Sequence, residues 1–171
     1  EGIVDAGPRV DGVDNGFCVA MIGHDAERTF ISTKGAETMT PETAWADVVR
    51  TMSPGDVLYI DGYLMDHPAN REAAEAALRV LPEGVRVLLD VSPVIGIPES
   101  LPTHHAIISM NSVEARAIAK QSRLDGCLPF DSLSCRLAQT LGRDTLIRLG
   151  ASGAYFARYA SPDSKTSAAQ I

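Results

Sequence analysis

Residues 107–114 of the chain read Ile-Ile-Ser-Met-Asn-Ser-Val-Glu. The apolar run that ends at Met110 is typical of a buried β-strand, and the polar residues after it indicate the start of a helix. In an open α/β sheet, ligands bind just beyond the carboxyl ends of the strands. Asn111 and Glu114 therefore stand where a nucleotide or a metal-bound phosphate would be held.

The same two residues have a second explanation. An Asn followed three positions later by a Glu is the pattern of a capping box, in which each side chain binds a backbone amide at the start of the helix. Asn111 would then be the N-cap, and the Glu114 carboxylate would reach back to the amide of Asn111. This segment alone fits both interpretations.

Strand-like and helix-like segments alternate through most of the chain. Strands that are buried on both faces and separated by helices indicate a parallel sheet, so the pattern predicts an α/β fold, a three-layer α/β/α sandwich. The predicted strands are residues 57–60, 85–91, 105–110 and 145–149, with an antiparallel edge at 154–159. The predicted helices are residues 40–52, 68–81, 111–119 and 133–141. We expect the Ser/Thr-rich segment 161–169 to be a mobile loop.

The first part of the chain does not follow this alternation. Two β-prone runs, residues 17–22 and 28–33, flank a turn-rich tetrapeptide and predict a hairpin. We interpret it as a lid, which divides the chain into a β lid region (1–38) and an α/β core domain (39–171). Phe17, Arg28 and Gly35 are candidates for closing over a small molecule. Alternatively, aromatic residues of the hairpin only pack across the two strands.

Two further strands end in polar residues. Asp90 follows an apolar strand, where its carboxylate would face the substrate crevice or cap a turn ahead of a proline. Arg148 ends another strand and offers a bidentate grip on phosphate, or is only a surface charge. Gly150 and Gly153 follow it, and they allow either close approach of a ligand or the backbone conformation of a tight turn.

Composition excludes several functional classes. The 171 residues carry a net charge of −7 without a Lys/Arg cluster, which argues against nucleic acid or an anionic membrane as a partner. No apolar run approaches membrane-spanning length. The three cysteines have no paired spacing and indicate a reducing cytoplasm. Neither a Gly-x-Gly-x-x-Gly fingerprint nor a Walker-type loop is present in the sequence, which disfavours a dinucleotide-dependent oxidoreductase.

Taken in order, these segments resemble the PfkB (ribokinase-like) family of carbohydrate and nucleoside kinases over nearly the whole chain. No single segment is specific, whereas the ordered set at these spacings is fairly specific. The matching segments are residues 16–20, 27–30 and 35–36 around the hairpin, the strand at 56–60, Asp90 to Pro93, Asn111-x-x-Glu114 and Arg148-Leu149-Gly150-x-x-Gly153.

The resemblance implies transfer of the γ-phosphoryl group of ATP to a hydroxymethyl group of a sugar or related alcohol, with Mg²⁺. It implies that Asn111 and Glu114 organise magnesium, its waters and the phosphates, and that Arg148, Gly150 and Gly153 lie beside the nucleotide. The family often has Thr or Lys where Arg148 stands. Such chemistry depends on positioning and charge neutralisation, and a carboxylate holds Mg²⁺ well through water. Family lids often form dimer contacts, so a homodimer through the hairpin is expected.

Two family signatures are missing from the sequence. A Gly-Ala-Gly-Asp motif with the catalytic Asp would follow residue 171, and a Gly-Gly segment that grips the sugar would precede residue 1. We therefore expect a central fragment of such a kinase, inactive by itself. The alternative is a non-catalytic α/β ligand-binding or regulatory module in which Asn111 and Glu114 are only a helix cap.

Overall fold

The computed structural model describes residues 2–94, 96–160 and 166–171, which form two β-sheets. The small sheet is a hairpin in which β1 (Cys18–Ile22) pairs antiparallel with β2 (Arg28–Ser32). The large sheet has six strands in chain order: β3 (Val57–Asp61), β4 (Arg86–Asp90), β5 (Ala106–Asn111), β6 (Asp144–Arg148), β7 (Ala154–Ala157) and β8 (Ala168–Gln170). Strands β3 to β6 are parallel, and β7 and β8 are antiparallel to their neighbours. The predicted hairpin and mainly parallel sheet are confirmed.

Among the described residues, five α-helices accompany the large sheet: α1 (Ala44–Val49), α2 (Gly62–Met65), α3 (Pro68–Arg79), α4 (Ser112–Gln121) and α5 (Phe130–Leu141). Pro68 begins α3 because the first helical position needs no amide hydrogen. Gly142 ends α5 in the left-handed conformation, with φ 65°, which glycine adopts at little cost. Within the described ranges, no helix has the length and apolar character needed to cross a bilayer.

The core forms where one face of the parallel strands meets the helices. Strand residues that alternate along the chain are fully buried, and they pack against small and branched side chains of α3, α4 and α5. The strand members of this core are Val87, Leu89, Ile108, Met110 and Ile147. Each buried side chain of this size contributes about 1.5–3 kcal/mol through the hydrophobic effect. Because this buried face holds the strands in place against the helices, the backbone positions of the polar residues at the strand ends are fixed as well.

Two local predictions were wrong in part, and one short helix was not predicted. The first helix begins at Ala44 and not at Thr40, because residues 41–43 form a turn in which the amide of Ala44 donates to the carbonyl of Pro41 at 3.0 Å. Helix α2 was not predicted, since four residues are too few to show a helical period. In the segment predicted to be a mobile loop, residues 161–165 lie outside the described residues, whereas 168–170 form β8 beside β7.

The hairpin stands away from the core. Every residue of β1 and β2 is exposed, including apolar residues on both faces of the hairpin. The chain re-enters the core through the short helical turn Ala36–Thr38. The hairpin therefore depends on the contacts at its base for its position over the core.

Candidate functional site

Polar side chains meet along one edge of the large sheet. Parallel pairing aligns Asp61 of β3 with Asp90 of β4, Asp90 with Ser109 of β5, and Asn111 of β5 with Arg148 of β6. All five residues lie at or near the carboxyl ends of their strands, the edge where open α/β sheets bind ligands. The strand register thus collects residues that are far apart in the sequence into one candidate site.

Arg148 is the centre of this edge. Its Nη1 donates hydrogen bonds to Oδ2 of Asp90 and, at 3.0 Å, to Oγ of Ser109, while Nη2 donates to Oδ1 of Asp90 at 3.3 Å. The hydrogen bond with Asp90 holds the pKa of Arg148 above its ordinary value, so the guanidinium is charged throughout the physiological range. The Asp90 side chain is 14% exposed and that of Arg148 is 41% exposed. Arg148 is therefore a fixed cation at the site and not a free surface charge.

Asn111 and Glu114 form a complete capping box. Oδ1 of Asn111 accepts hydrogen bonds from the amides of Val113 and Glu114, each at 2.9 Å. Oε2 of Glu114 accepts one from the amide of Asn111 at 2.6 Å. The capping interpretation is therefore confirmed as geometry, and it fixes the direction in which α4 leaves the sheet.

The cap leaves part of Glu114 available. Glu114 is only 7% exposed, and its Oε2 lies 3.9 Å from Nη2 of Arg148. The buried carboxylate therefore also belongs to the charged cluster around Arg148. The structure gives the other oxygen, Oε1, no hydrogen bond from a described residue. Both lone pairs of Asn111 Oδ1 are already used, which leaves its Nδ2 amide to act on a ligand.

The charges of this edge favour a cation. The three carboxylates of Asp61, Asp90 and Glu114 stand against one guanidinium. Partial burial raises the pKa of Tyr59, and the negative charges of Asp90 and Asp61 raise it further. Within residues 2–94, 96–160 and 166–171, no three His, Cys, Asp or Glu residues cluster closely enough to enclose a metal. A magnesium ion bound at this edge would therefore be held through water, since Mg²⁺ keeps several of its waters.

The glycine turn after Arg148 connects β6 to β7. Gly150 and Gly153 have φ of 59° and 82°, and the amide of Leu149 donates to the carbonyl of Gly153 at 2.8 Å. A Cβ at Gly153 would lie less than 3.0 Å from the carbonyl oxygen of Ile171, so only glycine fits there. A Cβ at Gly150 would meet nothing within 4 Å. The turn needs its glycines for conformation, and Gly150 also faces open space beside Arg148.

The predicted lid residues are spread along the hairpin. Phe17 lies at its base, where the Phe17 amide donates to Oγ1 of Thr33 at 3.0 Å, and its side chain is exposed. Gly35 is also at the base, whereas Arg28 pairs with Ile22 at the opposite end of the two strands. In the described part of the chain, no hydrogen bond or ion pair joins Asp90 to the hairpin. Asp90 was predicted together with the lid residues, and the structure brings it to Arg148.

A cleft of about 350 Å³ separates the hairpin base from α2 and α3. Its lining includes the polar or charged residues Thr33, Lys34, Asp61, His67 and Asn70, together with Tyr63 and Leu64. Asn70 is 3% exposed, and its Oδ1 and the Nδ1 of His67 are buried without a hydrogen-bond partner. Unpaired buried polar atoms are costly, and both of these atoms belong to residues that line the cleft.

Asp61 was not among the site residues predicted from the sequence. Its carboxylate accepts a hydrogen bond from the amide of Leu64 at 2.9 Å, which caps α2 and places the side chain at the cleft. The signal was the same as for Asp90, because both are carboxylates that follow an apolar strand.

The chain is similar in sequence to the uncharacterised sugar kinase YegV of Escherichia coli (strain K12). The two are 29% identical over 161 residues, which are 91% of this chain and 48% of that protein. No protein-family model matches the chain.

Two solved structures show the same arrangement of strands and helices. Fructokinase from Xylella fastidiosa superposes with a TM-score of 0.67 and 12% identity, over 98% of this chain and 54% of its own. Ribokinase from Cryptococcus neoformans var. grubii serotype A, in complex with ADP, superposes with a TM-score of 0.64 and 14% identity, over 95% of this chain and 51% of its own. The chain has a ribokinase-like fold.

The resemblance drawn from the sequence is thereby confirmed, and so is the fold class. The ribokinase-like chain spans about half the length of the relatives that it matches. Within this half, Asp61, Asp90, Ser109, Glu114 and Arg148 lie on one edge of the sheet. These polar groups thus form a row along the carboxyl edge of the sheet.

Proposed function

We propose that the whole protein is a magnesium-dependent sugar kinase, which transfers the γ-phosphoryl group of ATP to a hydroxymethyl group of a sugar or nucleoside. The observation that carries this proposal is the cluster of Asp90, Glu114 and Arg148 at the carboxyl edge of the sheet. It combines a fixed guanidinium with buried carboxylates, which is the combination that phosphate and a hydrated divalent cation require. The sequence similarity to a sugar kinase supports the same conclusion.

In this proposal the nucleotide lies over the ends of β5 and β6. Magnesium, when bound, offsets the charge that develops on the phosphates. Oε1 of Glu114 would accept hydrogen bonds from the waters of the metal, and the Nδ2 amide of Asn111 would donate to water or to a phosphate oxygen. Arg148 holds the other side of the phosphates. The Gly150–Gly153 turn lets the backbone approach the nucleotide, because no side chain projects from Gly150.

The acceptor lies in the cleft beneath the hairpin. Asp61 is suited to accept hydrogen bonds from sugar hydroxyls, and because Asp61 pairs with Asp90, an acceptor bound there would lie next to the phosphate cluster. Phe17 and Gly35 at the hairpin base, with Arg28 further out, form the cover. The exposed apolar residues of the hairpin also suit contact with a second copy of the protein. The three free cysteines suit a reducing cytoplasm.

We expect residues 1–171 alone to bind nucleotide without transferring phosphate. The sequence contains Asn111, Glu114 and Arg148 but no Gly-Ala-Gly-Asp motif to supply the catalytic base. Transfer by the isolated 171 residues would contradict this expectation.

The complete capping box favours a second candidate, a non-catalytic α/β ligand-binding module, because it gives Asn111 and Glu114 a structural role without any ligand. The two candidates predict different results in a screen of the whole protein. ADP release is measured with ATP, Mg²⁺ and a panel of sugars and nucleosides, with and without EDTA. Turnover with one class of acceptor that EDTA abolishes supports the kinase, whereas binding of ligands without turnover supports the module.

A further inference from the structure

Glu37 ties together the two ends of the hairpin. Its Oε2 accepts a hydrogen bond from the amide of Gly16 at 2.6 Å, and its Oε1 accepts one from the amide of Gly35 at 2.8 Å. Gly16 precedes β1, and Gly35 follows β2. One carboxylate therefore clamps the chain where it enters the hairpin to the chain where it leaves.

The backbone around this clamp has no room for side chains. A Cβ at Gly35 would lie less than 3.0 Å from the backbone of Asp14 and Gly16, and one at Gly16 would lie less than 3.0 Å from the carbonyl of Thr33. The amide of Ala36 also donates to the carbonyl of Asp14 at 2.9 Å. Such close packing of two backbone segments lets a single carboxylate reach both amides.

The clamp is also fastened to the core. The Nδ2 amide of Asn70, a buried residue of α3, donates to the carbonyl of Glu37 at 2.8 Å. Nearby, Nζ of Lys34 lies 3.6 Å from Oδ2 of Asp66. We call the segment around Gly16, Gly35 and Glu37 the joint of the hairpin. The hairpin strands beyond this joint are exposed along their whole length. A small rotation at the joint would therefore move the hairpin tip a long way, whereas the joint itself stays attached to α3.

The cleft opens at the same joint. Thr33, Lys34 and Glu37 line one side of it, and Asp61 and Asn70 line the other. The angle at which the hairpin leaves the joint therefore sets the width of the cleft.

We propose that Glu37 is a positioning residue that sets the angle of the hairpin over the acceptor cleft by clamping the amides of Gly16 and Gly35. The role of the clamp in acceptor binding rests on the proposed kinase function. The existence of the clamp does not rest on that function, and hydrogen exchange at the two amides measures it separately.

The experiment compares the whole protein with its Glu37→Gln variant. A glutamine has one carbonyl oxygen, so it can accept from only one of the two amides, and its NH₂ group faces the other donor. Glu42→Gln, an exposed glutamate five residues later, is the matched control. Glu37→Asp is a second variant that keeps the charge but is one methylene too short to span both amides.

Two quantities are measured. The first is hydrogen exchange at the amides of Gly16 and Gly35, which we expect to be about 10-fold faster or more at one or both amides in each Glu37 variant and unchanged in Glu42→Gln. The second is steady-state kinetics with the acceptor found in the screen. We expect the KM for the acceptor to rise about 10-fold, with the KM for ATP unchanged.

The outcomes separate the clamp from the proposed function. Wild-type exchange at both amides in the two Glu37 variants would overturn the clamp, whatever the protein catalyses. Faster exchange with an unchanged acceptor KM would overturn the positioning role. If no acceptor turns over, the proposed kinase function fails, and equilibrium binding of the screened sugars to the cleft replaces KM as the second readout.

Discussion

Arg148 and Asp90 lie 58 positions apart in the sequence and form a bidentate ion pair that reaches across the intervening strand β5. Ser109 of β5 lies beneath the bridge and accepts a third hydrogen bond from the same guanidinium at 3.0 Å. The pair joins β4 to β6 at the carboxyl edge of the sheet. It therefore fixes the spacing of the groups that we assign to phosphate binding.

Breaking this pair should destabilise the protein measurably. Because Asp90 is mostly buried, Arg148→Met leaves its carboxylate without compensation, and we expect the free energy of unfolding to fall by about 1–2 kcal/mol after allowance for the partly exposed Arg148. Urea denaturation of Arg148→Met, Asp90→Asn and the double variant measures the coupling. Additive effects of the two substitutions would show that the pair contributes nothing.

The N-cap of α4 should contribute to stability independently of any ligand. Asn111→Ala removes the acceptor of two amide hydrogen bonds, so we expect the free energy of unfolding to fall by about 1 kcal/mol. Asn111→Ser is the control, because a serine also caps helices and should recover most of the loss. Equal stability of the alanine and serine variants would mean that the cap does not act as the geometry indicates.

Asp61 should affect the acceptor and not the nucleotide. Asp61→Asn keeps an oxygen that can cap α2 but removes the charge that would hold sugar hydroxyls. We expect the acceptor KM to rise about 10- to 100-fold, with little change in the KM for ATP or in the melting temperature. Steady-state kinetics with each substrate varied in turn separates the effects. A rise in the KM for ATP alone would place Asp61 at the nucleotide instead.

Glu37 should make the stability of the hairpin joint depend on pH. The amide of Gly16, and then that of Gly35, lower the pKa of Glu37 below 4.5. A carboxylate with a lowered pKa in the folded state stabilises the protein above its unfolded pKa, and this stabilisation is lost as the pH falls through the folded value. We expect wild type to exceed Glu37→Gln in stability well above pH 4.5 and the difference to shrink below it.

Chemical denaturation of both proteins between pH 3 and 7, on the order of one pH unit per step, checks this dependence. Lys34, Asp61, Asp66 and His67 line the same cleft and are present in both proteins, so the difference between the two proteins isolates the Glu37 carboxylate. A stability difference between wild type and Glu37→Gln that grows as the pH falls would contradict the predicted direction of this dependence.

The sequence predicted the parts of the fold that repeat a pattern. Alternation of apolar runs with helical periods gave β3 to β7, α3, α4 and α5, and the turn between two β-prone runs gave the hairpin. Short or isolated elements such as α2 and β8 carry no period, so their formation depends on tertiary contacts. The start of α1 was misplaced because a turn closed by the Ala44 amide and the Pro41 carbonyl precedes the helix, so that Thr43 and not Thr40 flanks it.

The candidate site was only partly predictable for a related reason. Asn111 and Glu114 are neighbours along the chain, so their capping geometry could be anticipated from local spacing. The contact of Arg148 with Asp90 depends on the order and register of three strands, which the sequence does not specify by itself. Asp61 was overlooked although its local signal equals that of Asp90, since both carboxylates follow an apolar strand.

The most direct test of the account is the magnesium dependence of the Glu114→Gln variant of the whole protein. Glutamine also occupies this position in capping boxes, so the variant keeps the helix cap and loses only the charge. Glu83→Gln, an exposed glutamate near the amino end of β4, is the matched control. Melting temperatures of all three proteins confirm that the cap is intact.

We predict that Glu114→Gln melts within about 2 °C of wild type but loses about 100-fold or more in kcat/KM at low Mg²⁺, with partial recovery as Mg²⁺ is raised. Glu83→Gln should match wild type in both measurements. Wild-type activity and magnesium dependence in Glu114→Gln would contradict the account, because Glu114 would then be a helix cap and nothing more.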